Sequence, residues 1–571
     1  MRPEHGYPDA PIHELFERRA ALTPDSIALI EGEQRITFAE LNGRANQFAR
    51  GLVERGVKRE TFVGLSLERS IQAIVALIGI LKAGGAYVYL DPAYPPRRLR
   101  EMARDSGLEF VITNETEDSQ RETTNLAASV GLDDAAYVIY TSGSTGQPKG
   151  AVQVHRSMTS RLISRPLPDI RSTDVCCLNS SLSFGISASR LFFPLVEGAP
   201  VVLLGDESVK DVHRFVRALD AHQITSAFMV PALLRQVLAL HEQGVCRLPS
   251  LRAIAVSGGS LTPDLADRFR RALPETLLVN MYGSTEIGTT AAMRVIDSSM
   301  PSSPVSIGRP APNTRIYIVD RDLNPVSGSE AGEICVAARH LAREYLNRPE
   351  LTAERFIADP FVKAPGERMC RTGDLGRYLP NGEIEFLGRA DHQVKIRGYR
   401  IELGEIEAVL LSHPSVQEAV VTAPGVEDER RIAAYLVCKD SVRPSSTELR
   451  AFLAERLPEH MIPAAFVMLR ALPLTDAGKV DRDALPEAVQ AETATKDGLP
   501  ETLTEKTLAQ MWREFLKVES ITLHDNFIEQ GGDSLGATQL LAAIRGRFGV
   551  EIPARLLFDG TLGELARAID R

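Results

Sequence analysis

Apolar positions along the first ninety or so residues fall into two periods. Short runs such as "IALI", "FVGLSL" and "AYVYL" alternate with helix-length amphipathic segments such as "FAELNGRANQFARGLVERG" and "SIQAIVALIGILKAG". A short apolar run suits a buried strand, and a longer segment with helical periodicity suits a helix packed against it. The alternation predicts α/β layers. A polar stretch over residues 113–135 predicts a surface connection, and the α/β rhythm resumes at "YVIY" and runs to about residue 385. Beyond it, "GRADHQVKIRGYRIELGEIEAVLLSHP" joins a charged strand-like piece to an amphipathic helix, and "EAVVTA" and "IAAYLVC" predict two more strands. Together they predict a small α+β domain ending near Leu485. The segment "PEAVQAETATKDGLPE" lacks periodicity and reads as a linker. The last seventy or so residues, from "LTEKTLAQMWREFLKV" through "SLGATQLLAAIRGRFG", carry helical patterns and predict a small helical bundle.

A chain of 571 residues is too long for a single core and predicts two to four domains. Its net charge of −10 argues against a nucleic-acid-binding surface, so basic stretches such as "KIRGYR" must act locally. Six scattered cysteines form no C-x-x-C pair, which predicts neither a disulfide framework nor a zinc site and fits a reducing cytoplasm. The longest apolar run, around "IQAIVALIGIL", is too short to span a bilayer, so no membrane association is expected.

Two short stretches carry the candidate chemistry. In "TSGSTGQPKG", Thr141 to Gly150, glycines let backbone N–H groups converge on an anion, hydroxyls add donors, and Lys149 adds a positive charge. A phosphate is the natural guest, although the spacing does not match G-x-x-x-x-G-K-[ST]; a solvated Ser/Gly turn is the alternative. In "GGDSLG", Ser534 matches the esterase elbow G-x-S-x-G, but no histidine follows it and no strand-like run precedes it. Ser534 reads instead as a hydroxyl exposed at the start of a helix, suited to a covalent phosphate linkage, or as a plain N-cap.

The segment "NFIEQGGDSLGATQLLAAI" closely resembles the attachment site of peptidyl carrier proteins, whose serine carries 4′-phosphopantetheine. The upstream loop resembles the phosphate loop of the adenylate-forming superfamily, specifically the adenylation domains of nonribosomal peptide synthetases. "LKAGGAYVYLDP", "NMYGSTE", "RTGDL", "GRADHQVKIRGYRIELGEIE", "LPEHMIP" and "GKVDR" follow in family order over nearly the whole chain. Three departures stand out: Ser284 replaces the usual proline, "VAARHLAREYL" is irregular, and "SFGIS" lacks an expected aspartate.

The resemblance implies a multidomain protein. Residues 1–388 would form the α/β adenylate-forming N-terminal core, 389–485 a small α+β C-terminal subdomain with its hinge near Asp391, and 486–500 a linker. Residues 501–571 would form an all-α four-helix-bundle carrier domain. It implies that Thr141, Ser142, Gly143, Ser144, Thr145 and Lys149 cradle the ATP phosphates, that Glu286 holds Mg²⁺, and that Thr285 contacts the α-phosphate. Tyr282, Gly258 and Gly259 would frame the adenine, Asp374 would accept both ribose hydroxyls, Arg389 would be a further ATP-binding residue, and Lys479 would bridge the substrate carboxylate and the phosphate. Gly398 would line the path of the incoming thiol. The acid would lie among Phe184, Gly185, Ile186, Ser189, Phe228, Ala255, Ser257, Met281, Thr289 and Thr290.

Gly185 stands where amino-acid-activating relatives place the aspartate that pairs with the substrate's α-ammonium. The implied substrate is therefore a neutral acid without a normal α-amine: an aryl, α-hydroxy or α-keto acid. A β-amino or unusual amino acid is the alternative, its amine bound by a carboxylate elsewhere. With no H-H-x-x-x-D-G condensation motif present, the expected role is a self-contained or initiating cytoplasmic module. Its partners would be a phosphopantetheinyl transferase and downstream condensation or tailoring enzymes on other chains. An acyl-CoA ligase-like enzyme fused to a carrier, and an inactive carrier scaffold, are the competing readings.

Overall fold

The computed structural model describes residues 9–114, 119–127, 129–143, 147–164, 170–296, 305–363, 366–390, 393–396, 398–425, 430–439, 444–473, 480–482, 484–487, 499–516, 518, 521–523, 525–527, 530, 532 and 534–570. Contacts divide the chain into two compact units, the first extending to Ile401 and the second running from Glu402 onward.

The first unit is built on three sheets. The largest has nine strands, in the order Arg309–Pro310, Ala292–Ile296, Leu277–Tyr282, Ala253–Val256, Ser226–Met229, Cys176–Leu178, Val201–Leu203, Ile27–Glu31 and Gln34–Thr37. Its central strands are parallel and fully buried, so they read as continuous apolar runs flanked by helices, the expected α/β pattern. A six-stranded sheet runs Glu344–Tyr345, Lys149–Val154, Ala135–Thr141, Ala86–Tyr89, Phe62–Leu65 and Phe110–Ile112. Helix Ile71–Lys82, cut from the longest apolar run, is buried nearly all round and packs against helix Phe38–Glu54. An apolar run of this length is thus a core helix. No helix among the described residues is long and apolar enough to cross a membrane.

The third sheet orders Thr314–Val319, Gly332–Ala338, Arg368–Tyr378 and Phe356–Ala358, with Ile384–Arg389 also paired to Arg368–Tyr378. A two-stranded hairpin follows, Gln393–Ile396 with Tyr399–Glu402. The polar stretch after residue 113 does more than connect. Backbone carbonyls of Ser119, Arg121, Glu122, Thr123 and Thr124 accept hydrogen bonds from Asn46, Gln47 and Arg50 of helix Phe38–Glu54, so the stretch straps that helix.

In the second unit, strands Val416–Thr422, Ala433–Cys438 and Ala465–Leu469 form a sheet beside helix Leu403–Leu411. The C-terminal segment contains helices Leu503–Leu516, Ser534–Phe548, Ala554–Asp559 and Leu562–Ile569. They share an apolar cluster in which Trp512 meets Phe527 edge-on at 5.3 Å.

Candidate active site

Strands Ala135–Thr141 and Lys149–Val154 are antiparallel with Thr141 opposite Lys149, so the two ends of the glycine-rich segment lie side by side. A Cβ on Gly143 would lie 2.0 Å from the Gln147 carbonyl oxygen, which limits that position to glycine. Ser142 is buried, and its hydroxyl donates to the Arg400 carbonyl at 2.9 Å. Lys149 is buried with its ammonium 5.1 Å above the Tyr345 ring.

Lys149 belongs to a cluster centred on Glu286. The carboxylate is 3% exposed, accepts from Arg400 Nη1 at 2.6 Å and accepts from the Tyr345 hydroxyl at 2.7 Å. Burial alone would raise its pKa; Arg400, Lys149 and the tyrosine outweigh burial and hold the carboxyl well below the usual range. Glu286 is therefore an anion at every physiological pH. Its oxygens fit a hard cation such as Mg²⁺, which takes carboxylate and phosphate oxygens. The backbone is equally fixed: the Glu286 carbonyl accepts from the Ala342 amide at 2.8 Å, and the Thr285 carbonyl accepts from Gln153 at 2.8 Å. Both Ala342 and Tyr345 come from "VAARHLAREYL", so the irregular segment still serves the site. His340 is fully buried, burial lowers its pKa to about 3, and a Cβ on Gly288 would meet its carbonyl oxygen at 2.5 Å.

A second buried carboxylate is Asp374. It accepts from the Tyr282 hydroxyl at 2.6 Å and from Arg389 Nη1 at 2.5 Å, and its strand register places it directly opposite Arg389. Burial and Asp374 push the Tyr282 phenol far above its ordinary value, so it stays a donor. Lys395, on the hairpin, is drawn below the ordinary lysine range by burial, with Asp374 and Glu286 opposing that shift. Two carboxylates and four cations, Lys149, Arg389, Lys395 and Arg400, thus gather here. Such a set can bind a polyanion and its metal together. Sequence reasoning missed Arg400, Lys395 and Tyr345 as members; the basic stretch "KIRGYR" was the available signal for the first two.

Gly258, at φ +86°, meets Gly398, at φ +84°, backbone to backbone: a Cβ on Gly258 would lie 3.2 Å from the Gly398 Cα. A Cβ on Gly398 would lie 2.5 Å from the Val230 side chain. Gly259 packs against Pro231, and Phe184 faces Tyr399 with ring centres 5.4 Å apart.

The expected acid pocket forms between helix Gly185–Glu197 and the large sheet. Ile186, Phe228, Ala255 and Met281 share one apolar cluster. Phe228 registers with Ala255 on the neighbouring strand. Ser189 and Thr290 are buried, and Thr290 directs its hydroxyl to the Met281 sulfur at 3.9 Å; Ser257 is half-buried at the end of its strand. Gly185 opens the helix, and a Cβ there would lie 2.8 Å from Thr289 Cγ2. Thr289 sits at φ +72°, and its buried hydroxyl has no hydrogen-bond partner among the described residues. Ser534 is the first residue of its helix, and Gly532 before it lies so close to the Phe527 ring that a Cβ would meet it at 2.3 Å. Ser144, Thr145, Asp391 and Lys479 lie outside the described residues.

Residues 16–346 match the AMP-binding enzyme family, 405–479 the AMP-binding enzyme C-terminal domain, and 506–569 the phosphopantetheine attachment site. The chain is 40% identical over 584 residues to tyrocidine synthase 3 of Brevibacillus parabrevis, covering 99% of this chain and 9% of that protein. It is 39% identical over 580 residues to bacitracin synthase 1 of Bacillus licheniformis, covering 98% of this chain and 11% of that protein. It therefore spans about a tenth of the length of either relative. Among solved structures, holo-PA1221, an NRPS protein containing adenylation and PCP domains bound to a vinylsulfonamide inhibitor, superposes with a TM-score of 0.82 at 25% identity, covering 98% of this chain and 96% of that one. The matched domains imply ATP with Mg²⁺ and 4′-phosphopantetheine as cofactors. With more than half its length matched by the first of them, the chain belongs to the AMP-binding enzyme family and carries on the same polypeptide that family's C-terminal domain and a phosphopantetheine attachment site.

Proposed function

We propose that the chain activates a carboxylic acid as its acyl-adenylate and loads it onto its own carrier domain, as a module of nonribosomal peptide biosynthesis. The substrate carboxylate attacks the α-phosphorus of ATP, the bond to the bridging oxygen breaks, and pyrophosphate leaves. The acyl group then passes to the phosphopantetheine arm on Ser534, and AMP leaves. In this reading the loop from Thr141 to Lys149 binds the β- and γ-phosphates, and Thr285 contacts the α-phosphate. Tyr282, Gly258 and Gly259 frame the adenine, and Asp374 with Arg389 receives the ribose. Lys479 neutralises the charge that develops between carboxylate and phosphate. Mg²⁺ at Glu286 would supply further neutralisation as pyrophosphate departs. Residues 389–485 turn about Asp391 between the two steps, and the four C-terminal helices form the carrier bundle. The observation that carries the proposal is the meeting of Glu286 and Asp374 with four cations in a chain that also carries a phosphopantetheine attachment segment.

The substrate is an acid without an ordinary α-amine. Gly185 provides no carboxylate for an ammonium, and Thr289 stands against the place where a side chain would begin. An ammonium buried there unpaired would be disfavoured by roughly 3–5 kcal/mol, hundreds-fold or more in selectivity. The module acts ahead of condensation or tailoring enzymes on other chains, after a phosphopantetheinyl transferase has modified Ser534. The test is acyl loading of the modified protein, read as intact mass, with each α-amino acid set against its deaminated, hydroxy, keto and aryl counterparts. Loading by the acids lacking the amine is expected; a proteinogenic α-amino acid preferred tenfold over all of them refutes the substrate class.

A further inference from the structure

We propose that Arg190 binds a second negative charge on the substrate, so that the acid taken by this pocket is a dicarboxylic acid with its distal carboxylate at the floor. The proposal rests on the reading of helix Gly185–Glu197 as the pocket wall. Arg190 follows Ser189 directly and lies one helical turn beyond Ile186. It is 5% exposed. Nη2 donates to the Ser226 carbonyl at 2.8 Å, Nη1 and Nη2 each lie 3.4 Å from the Ser226 hydroxyl, and Nε has no hydrogen-bond partner among the described residues.

Among the described residues, the groups that meet this guanidinium are neutral. Besides Ser226, these are the thiols of Cys176 and Cys177; burial raises both, that of Cys176 to about 12, so neither is a thiolate at neutral pH. Asp174, which also acts on Cys176, is already engaged. Its carboxylate accepts from Arg252 at 2.6 and 3.1 Å, from the Arg171 amide at 2.7 Å and from Thr225 at 3.0 Å. Among the described residues no carboxylate pairs with Arg190. A guanidinium cannot shed its proton, and a buried charge without a counter-ion is strongly unfavourable. The arrangement is accounted for if the counter-charge arrives with the ligand.

The rows of the sheet give the reach. Cys176, Ser226, Ala253 and Leu277 are in register across four strands, and Phe228, Ala255 and Val279 form the row two residues further along on the same face. The two rows are about 7 Å apart at the rise of a strand. Where the pocket row has Phe228, three of the four residues in the row beneath Arg190 are small, Cys176, Ser226 and Ala253, the fourth being Leu277, and a carboxylate seated over them would face the guanidinium fork. An acid reacting at the mouth and extending past Phe228 and Ala255 reaches it.

The test is ATP–pyrophosphate exchange on wild type and R190M with two crossed series. 2-Oxoglutarate, 2-hydroxyglutarate and glutamate are set against 2-oxovalerate, 2-hydroxyvalerate and norvaline, and the comparison is repeated with the six-carbon homologues. Wild type is expected to prefer a dicarboxylic member over its monocarboxylic twin by about tenfold or more in kcat/KM. R190M should reduce that ratio on the order of a hundredfold, chiefly through KM for the dicarboxylic acid. Wild type using both twins equally, or preferring the monocarboxylic one at both lengths, overturns the role of Arg190 whatever the variant does. An R190M variant that lowers both series alike also overturns it. Preference for glutamate over its oxo and hydroxy counterparts refutes the Gly185 reading and leaves Arg190 standing, so the two failures are distinguishable.

Discussion

Replacing Glu286 by glutamine should destabilise the protein and silence its first half-reaction together. In the wild type both carboxylate oxygens are engaged, by Arg400 and by Tyr345, with Lys149 close by. The amide of E286Q keeps one acceptor oxygen and turns an NH₂ group toward the other donor, leaving Arg400 and Lys149 buried without their counter-charge. Removing one partner of a buried ion pair costs about 3–5 kcal/mol. At about 2 °C per kcal/mol for a large folded unit, Tm should fall by roughly 6 °C or more near neutral pH. The pH dependence follows from the depressed carboxyl. Its contribution to stability is fully present above the ordinary carboxylate pKa and is lost as the pH falls below about 4.5. Wild type should therefore lose stability faster than E286Q on acidification, and the two melting curves should converge. Scanning fluorimetry from pH 8 down to about pH 2 gives the first readout, with the convergence expected below about pH 4.5; exchange titrated with Mg²⁺ near neutral pH gives the second, expected to fall by about a hundredfold or more. An E286Q protein with unchanged Tm at neutral pH and an unchanged Mg²⁺ titration would refute both the electrostatic account and the metal assignment.

Lys479→Ala should leave a folded protein whose pyrophosphate exchange is reduced by a few orders of magnitude, since one transition-state charge contact contributes roughly 3–4 kcal/mol; activity within tenfold of wild type sinks that role. Gly185→Asp should not confer use of α-amino acids, because its Cβ would lie 2.8 Å from Thr289 Cγ2. The double variant G185D/T289G should gain exchange with at least one α-amino acid, and gain by the single variant alone would show that Thr289 does not obstruct the site.

The α/β layering was legible because its signal is local. Runs such as "AYVYL" and "YVIY" became buried strands Ala86–Tyr89 and Ala135–Thr141 through apolar content alone. The carboxylates of the site were legible for another reason: Glu286 and Asp374 sit inside short motifs that name them. Their partners were not, because Arg400 lies 114 residues from Glu286 and Tyr345 59 residues from it. No periodicity links such positions; only the sheets bring them together. Thr289 and Arg190 show a further limit. The sequence places Thr289 among pocket residues but cannot show that its backbone is left-handed or that it abuts Gly185. Arg190 reads as one more charged helix residue until its burial and neutral surroundings are seen.

The central claim, that this chain forms an acyl-adenylate and transfers the acyl group to its own Ser534, is tested most directly by intact-protein mass. Wild type and S534A are each treated with a phosphopantetheinyl transferase and coenzyme A, then with ATP, Mg²⁺ and the acid panel. Wild type should gain the phosphopantetheine mass and then, with the right acid, one acyl group lost on hydroxylamine treatment. S534A should gain neither while retaining pyrophosphate exchange with the same acid. Acquisition of the arm by S534A, or a modified wild type that supports exchange yet never gains the acyl mass, contradicts the account.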